Sequence, residues 1–113
     1  MRIVILLLMV VALAACGGRS NRAPAGLQFS QGPISAACES SGRESANRAL
    51  CGCIQSVANR ELNGSDQRRG ASFFGDPARA HEVRLDDSPA ADAFWRRWTD
   101  FAETAEGVCR AAL

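Results

Sequence analysis

The sequence predicts an all-α fold, in which two disulfide bonds hold together a small bundle of about four helices after a signal peptide and a flexible tether. Apolar residues recur at helical spacing over two long stretches, and a capping residue followed by proline twice marks a helix start. Four of the five cysteines lie beyond residue 16 and can form two disulfide bonds. No stretch shows the alternation of apolar and polar residues that is typical of a strand.

The first element is an apolar segment at the N-terminus. Met1-Arg2 is a short positive start, and residues 3–15 contain no polar side chain. These thirteen residues are too few for the roughly 20 of a membrane-spanning helix, and they fit the apolar region of a secretory signal peptide. Residues 1–15 are therefore predicted to be a signal peptide.

The predicted signal peptide is followed by a cysteine, in the run Leu13-Ala14-Ala15-Cys16. This run resembles the bacterial lipoprotein signal and matches its motif at all four positions. The resemblance implies that the chain is cut before Cys16, and that Cys16 is diacylated through its sulfur and often acylated, for example with palmitate, on its new amino group. Two acyl chains suffice for stable membrane anchoring.

The resemblance also bears on location. Gly17 rather than Asp follows Cys16, which favours the outer over the inner membrane, with the protein facing the periplasm. The residues alone leave two other interpretations open: an uncleaved hydrophobic anchor, and an ordinary signal peptide beside a chance cysteine.

Residues 16–33 are predicted to be the lipidated cysteine and a flexible tether. Gly, Ser, Asn, Gln and Pro dominate the segment, and Leu27 and Phe29 are its two isolated large apolar residues. Such a composition cannot bury enough surface to offset the entropy of ordering. The helical domain is therefore predicted to span residues 34–113.

Two helices are predicted in the first half of this domain. The first covers residues 44–62, and Asn63-Gly64 is predicted to form its left-handed C-terminal cap. Ser65 is predicted to cap a second, short helix that ends near Phe74. The apolar stripe of the first helix is Ala46, Leu50, Cys53, Ile54, Val57 and Ala58.

Two further helices are predicted from pairs of a capping residue and a proline. Asp76-Pro77 begins a third helix that runs to about Leu85, and Ser88-Pro89 begins the longest helix, which runs to about Arg110. The apolar stripe of the longest helix, predicted to be core, is Ala91, Phe94, Trp95, Trp98, Phe101, Ala102, Ala105, Val108, Cys109 and Ala112.

The remaining cysteines, Cys38, Cys51, Cys53 and Cys109, are predicted to be disulfide-bonded, because exported proteins lie in an oxidising space. Helical residues two apart point about 200° away from each other. A bond between Cys51 and Cys53 would therefore break the helix that contains them. These two cysteines are predicted to lie in different bridges, one to Cys38 and one to Cys109, and the sequence leaves open which partner each takes.

Other uses of these side chains are less well supported. A thiol redox pair is usually C-x-x-C at a helix N-terminus, whereas Cys51-Gly52-Cys53 lies within a predicted helix. A zinc site, with His81 as a substitute ligand, would lack paired C-x-x-C spacing. His81 and Glu82 point about 100° apart on a helix and form no catalytic dyad. No catalytic residue, metal or cofactor is predicted.

The middle of the chain resembles a family of small exported proteins of high-GC proteobacteria, over about residues 38–109. Some members of that family carry the label "arginine transporter". The resemblance implies no particular catalytic or binding residue. The residues that carry it are Leu50-Cys51-Gly52-Cys53-Ile54-Gln55, Asp66-Gln67-Arg68-Arg69, Phe74, Asp76-Pro77, Phe94-Trp95 and Cys109.

The leading functional prediction is a non-enzymatic, lipid-anchored periplasmic protein that binds or supports another component of the cell envelope. Its partners would be the membrane, through the lipid on Cys16, and an envelope protein. Thirteen basic and twelve acidic residues argue against nucleic-acid binding. The alternatives are a small solute-binding or transport-accessory lipoprotein, arginine-related by the family resemblance, and thirdly a thiol redox protein.

A partner-binding site is predicted at Arg69 and Phe73. Phe74 shares a helix face with Ala71 and is expected to point inward, so that Phe73 points outward. Aromatic and Arg side chains dominate the anchors of protein interfaces, which makes this pair a candidate anchor.

Overall fold

The structure is a computed structural model that describes residues 29–112. The predicted signal peptide, the predicted lipid attachment at Cys16 and the tether as far as residue 28 lie outside the described residues.

The described chain forms a bundle of helices without a strand, which confirms the predicted all-α fold. It has five α-helices, one more than expected, because the short α1 adds to the four predicted ones. The elements are α1 (Pro33–Glu39), α2 (Arg48–Glu61), α3 (Gly64–Gly75), α4 (Pro77–Leu85), α5 (Pro89–Cys109) and a 3-10 turn (Arg110–Ala112).

Side-chain caps begin three of these helices. Asn47 accepts a hydrogen bond from the Leu50 N–H at 2.8 Å at the start of α2. Ser88 accepts one from the Ala91 N–H at 3.3 Å at the start of α5, with proline as the next residue, as predicted. The first turn of each helix thus gains an acceptor for an otherwise unpaired N–H group.

The predicted cap at Asn63-Gly64 is wrong. Asn63 accepts a hydrogen bond from the Asp66 N–H at 2.8 Å and so begins α3, while the extended Leu62 ends α2. Only Leu62 and Asn63 separate the two helices, so Asn63 caps the start of α3 and does not cap the end of α2. Its extended backbone suits an N-cap rather than a left-handed C-cap. Ser65, predicted to cap, lies inside α3.

The predicted boundary between tether and domain is also wrong. The Ser30 N–H donates to the Gly52 carbonyl of α2 at 3.1 Å, and Phe29 lies directly over Gly52. A Cβ at Gly52 would be 3.2 Å from the Phe29 ring, so the missing side chain lets the segment approach the helix. Residues 29–33 therefore belong to the packed domain.

The core lies where α1, α2 and α5 meet, and α1 also packs against α3. By contrast, α4 contacts α3 and α5 but contains no buried residue. The buried cluster at the centre is Ile34, Cys53, Val57, Ala58, Leu62, Phe101, Ala105 and Cys109.

Two disulfide bonds connect the core helices, and they confirm that Cys51 and Cys53 lie in different bridges. Cys38–Cys51 joins α1 to α2, and Cys53–Cys109 joins α2 to the end of α5. Their sequence separations of 13 and 56 residues correspond, in the chain-entropy model, to about 3 and 4 kcal/mol of stabilisation.

The short helix α1 is held by a buried glutamine of α2. Gln55 is fully buried, and its Oε1 accepts hydrogen bonds from the N–H groups of Ile34 at 2.8 Å and Ser35 at 3.0 Å. Its Nε2 donates to Oε1 of Gln67 at 2.7 Å, which extends the network to α3. Gln55 therefore provides, from another helix, the N-terminal cap that α1 lacks in its own sequence.

We predict that Gln55→Leu lowers the free energy of unfolding by about 2–4 kcal/mol, because it leaves two buried N–H groups of α1 without an acceptor. Urea denaturation followed by circular dichroism measures this change. Gln31→Leu, at an exposed position, serves as the control and should change the stability little. Equal stability of the two variants would show that Gln55 does not hold α1.

A second prediction concerns α4, the helix without a buried residue. Its amides should exchange hydrogen with solvent faster than those of α2, because few buried contacts oppose its local opening. Native-state hydrogen exchange measures both helices in one sample. Equal protection of α4 and α2 would contradict the peripheral position of α4.

Candidate functional site

An apolar groove lies along the junction of α2 and α5. Its volume is about 350 Å³, at the lower end of the range of small-molecule pockets. Leu50 and Ile54 of α2 form one wall, Trp98 and Ala102 of α5 form the other, and Phe74 of α3 lies at one end. This is the candidate site.

The floor of the groove belongs to the rigid core. Phe101, Ala105 and Cys109 line it, and all three are at least 94% buried. Cys109 is bonded to Cys53 of α2, so the two helices that form the groove are covalently joined beneath it. The disulfide bond therefore fixes the distance between α2 and the end of α5 beneath the groove.

The walls of the groove are formed by large apolar side chains that the rest of the domain covers only in part. Leu50, Ile54, Phe74 and Trp98 pack against the core but are only partly buried. Single exposed apolar residues are common on protein surfaces, whereas a contiguous patch of them marks an interaction site. The four side chains form one contiguous apolar surface, which makes the groove the candidate binding site.

Trp98 owes its position to an aromatic cluster and to one glycine. Its ring lies 5.3 Å from the Phe73 ring and 5.1 Å from the Phe101 ring, measured between centroids. A Cβ at Gly70 of α3 would overlap the Trp98 ring, so only glycine allows α3 to approach this closely. Gly70 therefore shapes the groove without lining it.

The predicted outward orientation of Phe73 is wrong. Arg69 and Phe73 therefore do not form the exposed anchor that the sequence predicts. Phe73 is only 8% exposed and packs edge-to-face against Phe94 and Trp98. The Arg69 guanidinium lies 4.5 Å above the Phe94 ring, where a cation–π contact holds it on the domain. Phe74 is the partly buried ring.

The physical reason is the face that α3 presents to the domain. Asp66, Gln67, Gly70 and Phe73 are its buried residues, and they recur at helical spacing. The sequence pattern favours a face with Ala71 and Phe74, because a glycine at position 70 gives no apolar signal. The contact between Gly70 and Trp98, which decides the buried face of α3, cannot be recognised in the sequence.

The buried stripe of α5 is also narrower than predicted. Ala91, Phe94, Phe101, Ala105 and Cys109 are buried. The other large members of the predicted stripe are not: Trp95 and Trp98 are partly buried, and Val108 is 37% exposed. The helix packs on one side against α2, so the flank that carries Trp98 and Ala102 remains open and forms the groove wall.

Charged groups stand at both ends of the groove. Glu106 and Arg110 form an ion pair with each other at 3.4 Å, and both side chains are largely exposed. At the Phe74–Trp98 end lies a second recess of about 170 Å³, which Arg43 also lines. Arg43 forms no ion pair with any other described residue.

The best-formed ion pair of the described chain lies away from the groove. Asp66, which is largely buried, accepts two hydrogen bonds from Arg97, at 2.7 Å and 3.1 Å. Hydrogen bonding to Asp66 raises the pKa of Arg97 above its ordinary value. In the loop before α5, a backbone hydrogen bond from Ser88 lowers the pKa of Asp86. Both contacts fix helices rather than form a reactive site.

The cysteines and the histidine offer no assembled reactive centre among the described residues. Cys51 and Cys53 are fully buried and belong to separate disulfide bonds. His81 is exposed on α4. No group of three or more His, Cys, Asp or Glu side chains within residues 29–112 is placed to hold a metal ion.

Neither a protein-family model, nor a curated protein, nor a solved structure matches the chain. Within residues 29–112, none of the helices is both long enough and apolar enough to cross a membrane.

We predict that Gly70→Ala lowers the free energy of unfolding by about 1–3 kcal/mol, because the new methyl group overlaps the Trp98 ring. Tryptophan fluorescence should change in the same variant, and urea denaturation gives the stability. Gly107→Ala is the matched control, since a Cβ there meets nothing within 4 Å. Gly70→Ala as stable as Gly107→Ala would contradict this packing.

Proposed function

We propose that the protein is a non-enzymatic, lipid-anchored module of the periplasm that binds another component of the bacterial envelope in the groove between α2 and α5. The observation that carries the proposal is the groove itself. It places four partly buried apolar side chains over a floor that a disulfide bond makes rigid. A preformed apolar groove is suited to binding, because little entropy is lost when the partner arrives.

The disulfide bonds support the predicted compartment. Structural disulfides form and persist in oxidising spaces such as the periplasm, and they are rare in the cytosol. Both bridges are at least 96% buried at each cysteine, which is typical of structural rather than reactive bonds. This burial also favours the binding role over the thiol redox alternative.

The described chain begins on the side of α2 opposite the groove. The chain enters the described domain at Phe29, which lies on the face of α2 that carries Gly52. Leu50 and Ile54 are each two residues from Gly52, a rotation of about 200°, so both lie on nearly the opposite side of the helix. The groove therefore faces away from the point where the tether arrives.

The predicted anchor at Cys16 is compatible with this orientation. Residues 17–28 separate Cys16 from the described domain, and fully extended they span at most about 43 Å. A solute-binding role for arginine is less well supported, because Glu106 is the only carboxylate among the described residues that line the groove, and it is paired with Arg110.

The anchor is tested by Cys16→Ser, which removes the predicted acylation site. We expect this variant to lose labelling by radioactive palmitate and to leave the membrane fraction, because no other lipid attachment is predicted. Ser20→Ala, a small change in the same segment, should keep both properties. A Cys16→Ser protein that still fractionates with membranes would contradict the lipoprotein assignment.

The binding role is tested in cells with a photo-crosslinking amino acid at Ala102 of the groove wall. The matched control carries it at Ala93, which is also exposed on α5 but does not line the groove. We expect a covalent adduct of increased mass from position 102 and none from position 93. Adducts at both positions, or at neither, would contradict a specific role for the groove.

A further inference from the structure

We propose that the ligand of the groove is a long-chain fatty acid, whose hydrocarbon chain lies between α2 and α5 and whose carboxylate binds Arg43. This inference rests on the proposed binding role of the groove and names the chemistry of what it binds.

The dimensions of the groove fit one hydrocarbon chain. Its lining runs along α5 from Trp98 to the first residue of the 3-10 turn, Arg110, which corresponds to a length of about 18 Å at the helical rise. The small side chains of Ala102 and Ala105 keep this path open on the α5 side. A long, narrow and apolar volume of about 350 Å³ suits a single extended chain better than a compact ring system.

The same dimensions disfavour a protein partner. Helices that pack together have axes about 8–10 Å apart, so a groove about 18 Å long between two helices offers about 180 Å². A stable protein interface buries about 800 Å² on each partner. A helix from another protein would therefore find too little apolar surface here, whereas one extended hydrocarbon chain needs only a groove of about its own length.

Charge determines which kind of amphiphile fits. Arg110 at one end of the groove is already paired with Glu106. Arg43, at the Phe74–Trp98 end, is exposed and has no acidic partner among the described residues. One free guanidinium matches one carboxylate, with which it can form two parallel hydrogen bonds. A chain in the groove would thus place its carboxylate in the Arg43 recess.

The binding experiment uses the fluorescence of Trp98. The protein comprises residues 16–113 and carries Cys16→Ser, so that the whole described domain is present without acyl chains of its own. Trp95→Phe leaves Trp98 as the single tryptophan. Bromine-labelled palmitate quenches a tryptophan that it touches, so binding in the groove should give saturable quenching of Trp98.

Chain length and head group supply the first comparison. Octanoate should bind at least tenfold more weakly than palmitate, because each buried methylene group strengthens binding about fourfold. Cetyl alcohol has the chain of palmitate without its charge, and it should also bind more weakly. Equal binding of cetyl alcohol and palmitate would overturn the role of Arg43.

Matched variants supply the second comparison. Ala102→Leu fills the groove and should abolish quenching, whereas Ala93→Leu, on the outer face of α5, should leave it unchanged. Arg43→Gln should reduce palmitate binding to the level of cetyl alcohol, and Arg84→Gln on α4 should not. Circular dichroism confirms that each variant is folded. Unchanged quenching in a folded Ala102→Leu protein would overturn the proposal.

The outcome separates this inference from the proposed function. If palmitate does not quench Trp98 but the crosslinker at Ala102 captures an envelope protein, the groove is a binding site and the fatty-acid assignment is wrong. If neither palmitate binding nor a crosslink is found, both fail.

Discussion

The fold depends on two cysteines that lie two residues apart on one helix. Cys51 and Cys53 point to nearly opposite sides of α2, so one bridge holds α1 and the other holds the end of α5. A domain of this size has a small core of marginal stability, and covalent links are a common way to strengthen it. The central helix α2 thus organises both halves of the described domain.

Polar and aromatic contacts position the helices further, in addition to the two disulfide bonds. Gln55 on α2 accepts the N-terminal hydrogen bonds of α1, and through Gln67 the same network reaches α3. Gly70 then lets α3 approach Trp98 of α5. The groove results from this arrangement, because α5 packs on α2 along one flank and leaves the flank with Trp98 and Ala102 open.

Local signals in the sequence were sufficient for much of the fold. The start of α5 at Ser88-Pro89 follows from the capping chemistry of those two residues, and the separate bridges of Cys51 and Cys53 follow from helical geometry. The helix α1 was missed because it has seven residues and takes its N-terminal cap from Gln55, a residue about 20 positions away. Contacts with another helix stabilise α1, and a pattern of neighbouring residues in the sequence cannot predict such contacts.

The candidate site was harder to predict for the same reason. The apolar pattern of α5 identified Trp98, but it could not show that one flank of the helix lacks a neighbour. The choice between Phe73 and Phe74 depended on Gly70, whose effect is visible only when Trp98 is packed against it. The open groove and the close contact between Gly70 and Trp98 both arise only when the helices pack together.

The pattern of disulfide bonds in the native protein tests the central claim most directly. Protein isolated from cells without reductant, with free thiols blocked, can be digested and its linked peptides identified by mass spectrometry. We expect one peptide pair linked through Cys38 and Cys51, and another through Cys53 and Cys109. A Cys51–Cys53 link, or blocked free thiols at these four positions, would contradict it.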